Sequence, residues 1–292
     1  MNRASIILTV LAVGLFVIGG LVFAATYPPD VAFAARSSHA VAYTAPNGLM
    51  PDYWSMPQSG PGVNLALKMF NPGPPALWLL LIIVWAGLAL HALQLAYDRW
   101  WYERNTRDRL AAPLARGVAG PPTPRQIAAQ HLDDHAPGEL APLAAALIAG
   151  AALPWVMLHH PLAGLALAVT MLFAALSAVI RGQRNGRRIR QSIAVGLFAG
   201  WATVAGYAAL AAFTAGQLGI SPDTATMTAL LLCAGTGVTV QWQIGGSASY
   251  SVGMIWALIG IATVTISTVP VIAIGAILGI TAMTAVLVRA VT

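Results

Sequence analysis

The stretch GLFAGWATVAGYAAL, residues 196–210, is almost entirely apolar, yet it carries three glycines and one tryptophan. An apolar run of this kind predicts a membrane-spanning helix, in which small residues such as Gly196 and Gly200 let a second helix approach closely. Tryptophan usually prefers the membrane edge, so Trp201 at mid-span indicates an unusual environment. We expect its ring either to pack against a neighbouring helix or to line an apolar ligand cleft.

The composition of the whole chain supports a membrane protein. Of its 292 residues, 58% are hydrophobic and 8% are charged, whereas soluble domains carry about 25% charged residues. The formal net charge of +6 does not indicate nucleic-acid binding, because the arginines flank apolar segments. The composition therefore predicts a polytopic integral membrane protein in contact with the lipid bilayer.

Eight apolar runs are long enough to cross a bilayer, which takes about 20 helical residues. None of them alternates between apolar and polar residues as the strands of a membrane barrel do. We therefore predict an all-α bundle of about eight transmembrane helices. The runs cover residues 5–26, 76–97, 141–158, 161–180, 192–215, 225–243, 249–267 and 269–290.

These runs divide the chain into five segments. Residues 1–26 have features of a signal peptide, but we expect them to remain as an N-terminal anchor helix. A loop rich in Pro, Gly and aromatic residues (27–75) separates this helix from a second one (76–97), and an arginine-rich loop (98–140) follows. The remaining residues, 141–292, are predicted to form a six-helix transmembrane bundle.

The basic residues predict the orientation of the chain. If both termini lie in the cytoplasm, all Lys and Arg residues except Arg36 and Lys68 fall on the cytoplasmic side, as the positive-inside rule requires. One span more or fewer would scatter them over both sides. We therefore predict a bacterial inner-membrane protein with a periplasmic 27–75 loop and a cytoplasmic 98–140 loop.

Groups for catalysis or ion transport are scarce. The sequence has no phosphate-binding loop, nucleophile elbow or zincin motif, and no Asp or Glu lies in a predicted span. Because ion-coupled transporters depend on ionisable groups at membrane depth, that class is disfavoured, and no enzymatic activity is expected. A membrane enzyme or transporter for lipid-like substrates is the least favoured of the remaining classes.

His91 lies inside the second predicted span. Gly87, one turn earlier, leaves room for a flat ring, an arrangement that resembles single-span light-harvesting polypeptides. A neutral imidazole can ligate the iron of haem or the magnesium of a chlorophyll. His91 is therefore a candidate axial ligand of a tetrapyrrole, and the alternative is a histidine that is hydrogen-bonded to a neighbouring helix.

The remaining polar candidates lie near span ends or in loops. Gln241 and Gln243 flank Trp242, where they reach interfacial water, link helices or line the polar end of a ligand cleft. Two pairs of histidines have metal-like spacing but lack further ligands, so we interpret them as loop and turn residues. These pairs are His131 with His135 and His159 with His160.

The 27–75 loop carries six aromatic residues and four charged ones, a composition unlike that of a disordered linker. We expect it to pack against its own helices, the membrane surface or a partner subunit. A partner contact would make the protein an accessory or assembly subunit of a larger photosynthetic or respiratory membrane complex. That function is the alternative to a protein that works through a bound ligand.

Two stretches carry a more specific pattern. RQSIAVGLFAGWATVAGYAALAAF (190–213) contains a Gly-Trp-x-x-Val-Ala core, and YSVGMIWALIGIA (250–262) contains a Trp-Ala-Leu-x-Gly-Ile element. Both resemble the tryptophan-rich sensory proteins, the TspO or translocator family, and FNPGPPALWLLLIIVWAGLALHALQL (70–95) is similar to an early helix of that family. The residues that match the two elements are Gly200, Trp201, Val204, Ala205, Trp256, Ala257, Leu258, Gly260 and Ile261.

This resemblance implies a helical membrane protein that binds porphyrins or other flat apolar molecules without an agreed enzymatic activity. The chain departs from typical short members, which have five helices and lack its long loops. The ligand expected here is a tetrapyrrole (porphyrin, haem or bacteriochlorophyll) or a bound lipid between helices, with no metal site of the protein's own. The expected binding residues are Trp85, His91, Trp201, Trp256 and Gln243.

Overall fold

The computed structural model describes residues 3–27, 65–71, 75–114, 140–184, 193–245, 247–267 and 269–291. Within these ranges all regular secondary structure is helical, and no strand is present. This finding confirms the predicted all-α class. The helices are α1 (Arg3–Thr26), α2 (Leu65–Lys68), α3 (Pro75–Leu114), α4 (Leu140–His159), α5 (Pro161–Arg184), α6 (Ile193–Gln217), α7 (Pro222–Ile244), α8 (Ser249–Thr265) and α9 (Pro270–Val291).

Each predicted span corresponds to one long helix. Seven of the described helices are long and apolar enough to cross a membrane. The eighth, α8, has 17 residues and is therefore about 26 Å long, close to the thickness of about 30 Å of the hydrocarbon core. The protein is an integral membrane protein built as a polytopic helix bundle.

Proline and capping residues set several helix boundaries. Proline is well tolerated at the first helical position, because a backbone N–H there would have no intrahelical partner. At the start of α7 the Ser221 hydroxyl accepts a hydrogen bond from the Thr224 N–H at 3.3 Å, and Gly245, with φ of 68°, caps its end. Four helices begin at a proline: Pro75, Pro161, Pro222 and Pro270.

Helix α3 is longer than the apolar run that predicted it. The run ends at residue 97, but α3 continues to Leu114, so the first part of the 98–140 segment is helical. Loss of hydrophobicity marks where a helix leaves the bilayer, whereas a helix ends where breaking residues appear. Between residues 98 and 114 the sole proline is Pro113, and glycine does not occur.

Helix α6 lies at the centre of the bundle, and 83% of the residues in its most apolar stretch are buried. It packs against α5, α7, α8, α3 and the short α2. Around it, α4 and α5 form a hairpin, α1 packs along α4, and α9 packs against α7 and α8. The residues of α6 are therefore the ones best placed to organise an internal site.

The glycines of the central helix explain how α6 and α8 fit together. A Cβ atom added to Gly200 would lie 2.6 Å from the Met254 amide nitrogen and would also meet the Tyr250 carbonyl oxygen. Reciprocally, a Cβ added to Gly253 would lie 2.6 Å from the Leu197 carbonyl oxygen. The two backbones are thus in direct contact, which confirms the predicted close approach through Gly200.

Part of the segment between α1 and α3 is buried in the bundle. Helix α2 and the turn after it place Ala66, Leu67, Met69 and Phe70 in the hydrophobic core. Residues 28–64 of the predicted loop lie outside the described residues. The end of the loop nearest α3 therefore packs against the protein's own helices.

Candidate functional site

Trp201 is fully buried at the centre of an aromatic cluster, with 1% of its surface exposed. Its ring meets Phe70 edge-to-face at a centroid distance of 5.0 Å and Phe16 at 5.8 Å, and it stacks on Phe198 at 6.0 Å. We call these four residues the Trp201 cluster. Aromatic pairs at such distances and angles are mutually favourable, so α1, α2 and α6 meet through their rings.

The neighbouring glycine determines the direction of Trp201. Successive residues of a helix are about 100° apart around its axis. With Gly200 pressed against the backbone of α8, the side chain of Trp201 extends toward α1 and α2. Gly200 therefore contacts the backbone of α8, while Trp201 contacts the aromatic rings of Phe16 and Phe70.

Trp85 lies on α3 against α1. Gly20 of α1 makes this contact possible, because a Cβ added there would lie 2.6 Å from the Trp85 Cζ2 atom. The ring also meets Trp78 edge-to-face at 6.4 Å. The Trp85 Nε1 atom is buried and has no hydrogen-bond partner among the residues that the structure describes.

Trp85 and the Trp201 cluster are adjacent along α1. Phe16, a member of the cluster, and Gly20, which contacts Trp85, are four residues apart and therefore lie on the same face of α1. Phe198 lies one turn beyond Ala194 on α6, and Ala194 contacts Gly87 of α3. The interface between α1, α3 and α6, which we call the aromatic interface, thus contains Trp85 and Trp201.

Trp256 is partly buried on α8, and its indole N–H is hydrogen-bonded to α3. Its Nε1 atom donates a hydrogen bond to the Ala76 carbonyl oxygen at 3.1 Å, at the beginning of α3. One turn further along α8, Gly260 lies directly against the side chain of Leu77. Trp256 therefore attaches α3 to α8 and is not part of the Trp201 cluster.

A protein-family comparison matches residues 128–289 to the family described as TSPO-like protein, which is more than half of the chain. The chain belongs to the TSPO-like protein family. Comparison with curated proteins and with solved structures gives no match. The matched region of this TSPO-like protein holds α4–α9 and both motif stretches that carry the resemblance, 190–213 and 250–262. The weaker 70–95 stretch precedes it.

The start of the family region, at residue 128, divides the expected binding residues into two groups. Trp201 and Trp256 belong to the family region, whereas Trp85 and His91 belong to the preceding part of the chain. His91 is partly buried on α3, about 9 Å beyond Trp85 along the helix axis. The space beside Gly87, one turn before it, is occupied by Ala194, whose Cβ would lie 3.0 Å from an added Cβ.

Gln243 is exposed at the end of α7, and its neighbour Gln241 is the buried glutamine. Gln241 Nε2 donates to the carbonyl oxygens of Gly245 at 2.9 Å and Ser247 at 3.0 Å, and its Oε1 accepts from the Ser251 hydroxyl at 2.7 Å. All of its polar atoms are therefore used to fix the connection between α7 and α8. Sequence analysis named both glutamines but could not distinguish their directions.

A crevice lies between α6 and α7, and its internal volume is about 10 Å³. Its lining includes Tyr207, Thr226 and Cys233, and the Tyr207 hydroxyl is hydrogen-bonded to the Thr236 hydroxyl at 2.5 Å. This is about the space of one water molecule, far below the range of about 300–1,000 Å³ that small-molecule sites usually have. Sequence analysis missed the crevice, since it depends on packing and not on any motif.

Within the described ranges no group of three or more His, Cys, Asp or Glu residues could hold a metal ion. His159 ends α4, and His160 alone separates it from α5, as the predicted turn requires. His131 and His135 lie outside the described residues. The chemistry that the described interior offers is therefore aromatic surface, hydroxyl groups and indole N–H groups.

Proposed function

We propose that this TSPO-like protein binds a flat apolar ligand, either a tetrapyrrole or a lipid-like molecule, between its helices at the aromatic interface. The proposal assigns it a sensory or ligand-holding function without enzymatic activity. Flat rings stack favourably on aromatic side chains, and the Trp201 cluster offers such a surface. The ligand would lie against α1, α3 and α6, with Trp201 and Trp85 as its main contacts.

One observation carries this proposal: the N–H group of Trp85 is buried and has no partner among the described residues. In an apolar interior an unpaired donor is costly, and neighbouring helices or polar groups normally satisfy it. A ligand with a hydrogen-bond acceptor on its rim would pair this donor while its flat face contacts the rings. Carboxylate-bearing porphyrins have this combination, whereas a lipid with carbonyl groups supplies the acceptor without a flat face.

The other expected residues have different roles in the proposal. Trp256 positions α3 through its bond to Ala76, so it supports the interface indirectly. His91 is proposed as an axial ligand if the bound tetrapyrrole carries iron or magnesium. Gln243, being exposed, would contact only a ligand that extends to the end of α7.

The test is a titration of the purified, full-length protein with protoporphyrin IX. We expect saturable quenching of tryptophan fluorescence and a rise in thermal stability, because a ligand that binds the folded state stabilises it. Trp201→Phe should weaken binding about tenfold or more, which corresponds to about 1.4 kcal/mol. Trp242→Phe is the matched control, because Trp242 is 65% exposed and lies outside the aromatic interface.

Failure of this titration has a clear form. If saturating protoporphyrin IX, haemin and a chlorophyll derivative all leave both the fluorescence and the thermal stability unchanged, the tetrapyrrole proposal is wrong. Weaker binding in Trp242→Phe together with unchanged binding in Trp201→Phe would instead place the porphyrin on the exposed surface of the protein.

An accessory role in a larger membrane complex is the second candidate. It is supported by the exposed aromatic residues Tyr97, Trp100 and Trp101 on α3, where this helix extends beyond the apolar run. Exposed aromatic patches mark contacts with other proteins or with the membrane surface. Native gels of mildly solubilised source membranes test this role. Migration solely as a monomer or homo-oligomer would contradict it.

We also propose that both termini lie in the cytoplasm of a bacterial inner membrane. The support is the distribution of arginines relative to the helices. Among the described residues, seven long apolar helices and the shorter α8 together give an even number of crossings. Reporter fusions at each end test this orientation. Activity of a periplasmic reporter at either terminus would contradict it.

A further inference from the structure

Residues 65–71, comprising α2 and the turn after it, lie in the space beside Trp201. We propose that this segment is a displaceable plug, so that Phe70 occupies in the free protein the ring position that the ligand takes when it binds. The inference rests on the proposed function, because it describes how the same cleft is closed and opened. We call residues 65–71 the plug.

The side chains of the plug present the same chemistry as a flat apolar ligand. Phe70 meets Trp201 at 5.0 Å with an interplanar angle of 83°, and Met69 and Ala66 are 2% and 1% exposed. The buried polar residue of the plug, Asn71, directs its side-chain amide to the Tyr27 carbonyl oxygen. The plug thus covers the tryptophan with a surface that another aromatic molecule can replace.

The three rings on Trp201 are anchored very differently. Phe198 belongs to α6 itself, and Phe16 belongs to α1, a helix of 24 residues packed along α4. Phe70 follows a helix of four residues, far shorter than a helix that is stable alone. Phe70 is therefore the ring that can leave the cluster without moving a transmembrane helix.

The backbone hydrogen bonds of the plug are local. The N–H groups of Phe70 and Asn71 donate to the Leu67 carbonyl oxygen at 3.1 and 3.0 Å, and that of Met69 donates to the Ala66 carbonyl oxygen at 3.3 Å. These bonds can persist when the segment moves as a unit. A link to α1 is the hydrogen bond from the Asn71 side chain to the Tyr27 carbonyl oxygen.

The plug and Trp201 belong to different parts of the sequence. Trp201 lies in the region that matches the TSPO-like family, residues 128–289, whereas the plug precedes this region. The plug therefore comes from the N-terminal part of the chain and packs against a residue of the family region.

Cysteine labelling tests the plug in full-length protein in lipid nanodiscs. In a Cys233→Ala background, Met69→Cys places a thiol in the plug, and Ala257→Cys places one in α8, where Ala257 is fully buried. Because local opening exposes only part of a structure, we expect a membrane-permeant maleimide to label Met69→Cys about tenfold or more faster. Saturating protoporphyrin IX should accelerate Met69→Cys labelling further and leave Ala257→Cys unchanged.

The outcomes separate the plug from the proposed function. Equal, slow labelling of both cysteines would show that residues 65–71 are a fixed part of the core and would overturn the inference. Porphyrin binding without faster Met69→Cys labelling would also overturn it, while leaving the proposed function intact. Fast labelling without porphyrin binding would support the plug and overturn the proposed ligand. If Met69→Cys does not fold, Ala66→Cys takes its place.

Discussion

Trp85 and Trp256 carry the same indole N–H group in two different environments. The Trp256 N–H group donates to the Ala76 carbonyl oxygen at 3.1 Å, whereas the Trp85 N–H group is buried without a partner in the described structure. A buried donor left unpaired costs about 1–3 kcal/mol, while a satisfied hydrogen bond contributes about 1 kcal/mol. The two residues therefore differ in what their N–H groups do for stability and for binding.

Replacing each of the two tryptophans with phenylalanine separates these roles. We expect Trp85→Phe to retain stability better than Trp256→Phe by about 1–3 kcal/mol, because it removes an unpaired donor and not a bonded one. Trp85→Phe should nevertheless bind protoporphyrin IX more weakly than Trp256→Phe does, because Trp85 would contact the ligand whereas Trp256 supports the interface only through α3. Thermal unfolding in mild detergent and porphyrin titration measure the two effects. The reverse order in either experiment would remove Trp85 as the ligand's hydrogen-bond donor.

Gln241 is the second residue whose side chain is defined by its hydrogen bonds. Gln241→Leu would leave the Ser251 hydroxyl and two carbonyl oxygens without their present partner. The loss of a satisfied buried network predicts destabilisation by about 2–4 kcal/mol. Gln243→Leu is the matched control, because Gln243 is exposed, and it should leave the unfolding temperature nearly unchanged. Similar effects of both variants would show that the network contributes little.

At the scale of helices, the contact between α6 and α8 decides the architecture. Because the two backbones meet at Gly200 and Gly253, neither helix can move outward without breaking this contact. The same contact directs Trp201 toward α1 and α2. The Gly200-Trp201 pair therefore determines both how α6 packs against α8 and where the Trp201 ring lies.

Gly200→Ala tests this contact. The added methyl group would collide with backbone atoms of α8 that cannot rotate away, so we expect destabilisation by about 1–3 kcal/mol from overpacking. Gly235→Ala is the control, because a Cβ added at Gly235 meets no atom within 4 Å. That change should be neutral or stabilising by about 0.5–1 kcal/mol, as alanine is the better helix former. An unaffected unfolding temperature in Gly200→Ala would contradict the close contact.

Much of this architecture was predictable from the sequence, for physical reasons. Continuous apolar runs must become helices in a bilayer, so the eight long helices and their approximate ends follow directly. The continuation of α3 to Leu114 does not, because hydropathy reports the edge of the membrane and not the end of the helix. The burial of Ala66, Leu67, Met69 and Phe70 could not be predicted either, because a loop composition that favours packing does not identify the surface against which the loop packs.

The candidate site was predictable in part. The glycine beside it and the mid-span position marked Trp201 as unusual, but its partners Phe16 and Phe70 are distant in sequence and are defined by tertiary packing. The same holds for the unpaired N–H group of Trp85, which depends on which helix faces it. Gln241 and Gln243 are two residues apart and chemically identical, so only the rotation of α7 in the bundle decides which of them is buried.

At the scale of the whole molecule, two parts of the chain combine. The family region supplies α4–α9 with Trp201 and Trp256, and the preceding part supplies α1–α3 with Phe16, Phe70 and Trp85. The aromatic interface is formed where these two parts meet. A ligand held there would contact both, so its binding would respond to movements of the N-terminal helices relative to the family region.

The most direct test of the central claim is to locate the bound porphyrin by photo-crosslinking. The full-length protein is irradiated with a photoreactive protoporphyrin derivative at saturation, digested and mapped by mass spectrometry, with excess unmodified protoporphyrin IX as competitor. We predict competitor-sensitive attachment within residues 78–85 of α3 and 198–201 of α6. Attachment confined to the crevice around Tyr207 and Thr226, or to the exposed Trp242, would contradict ligand binding at the aromatic interface.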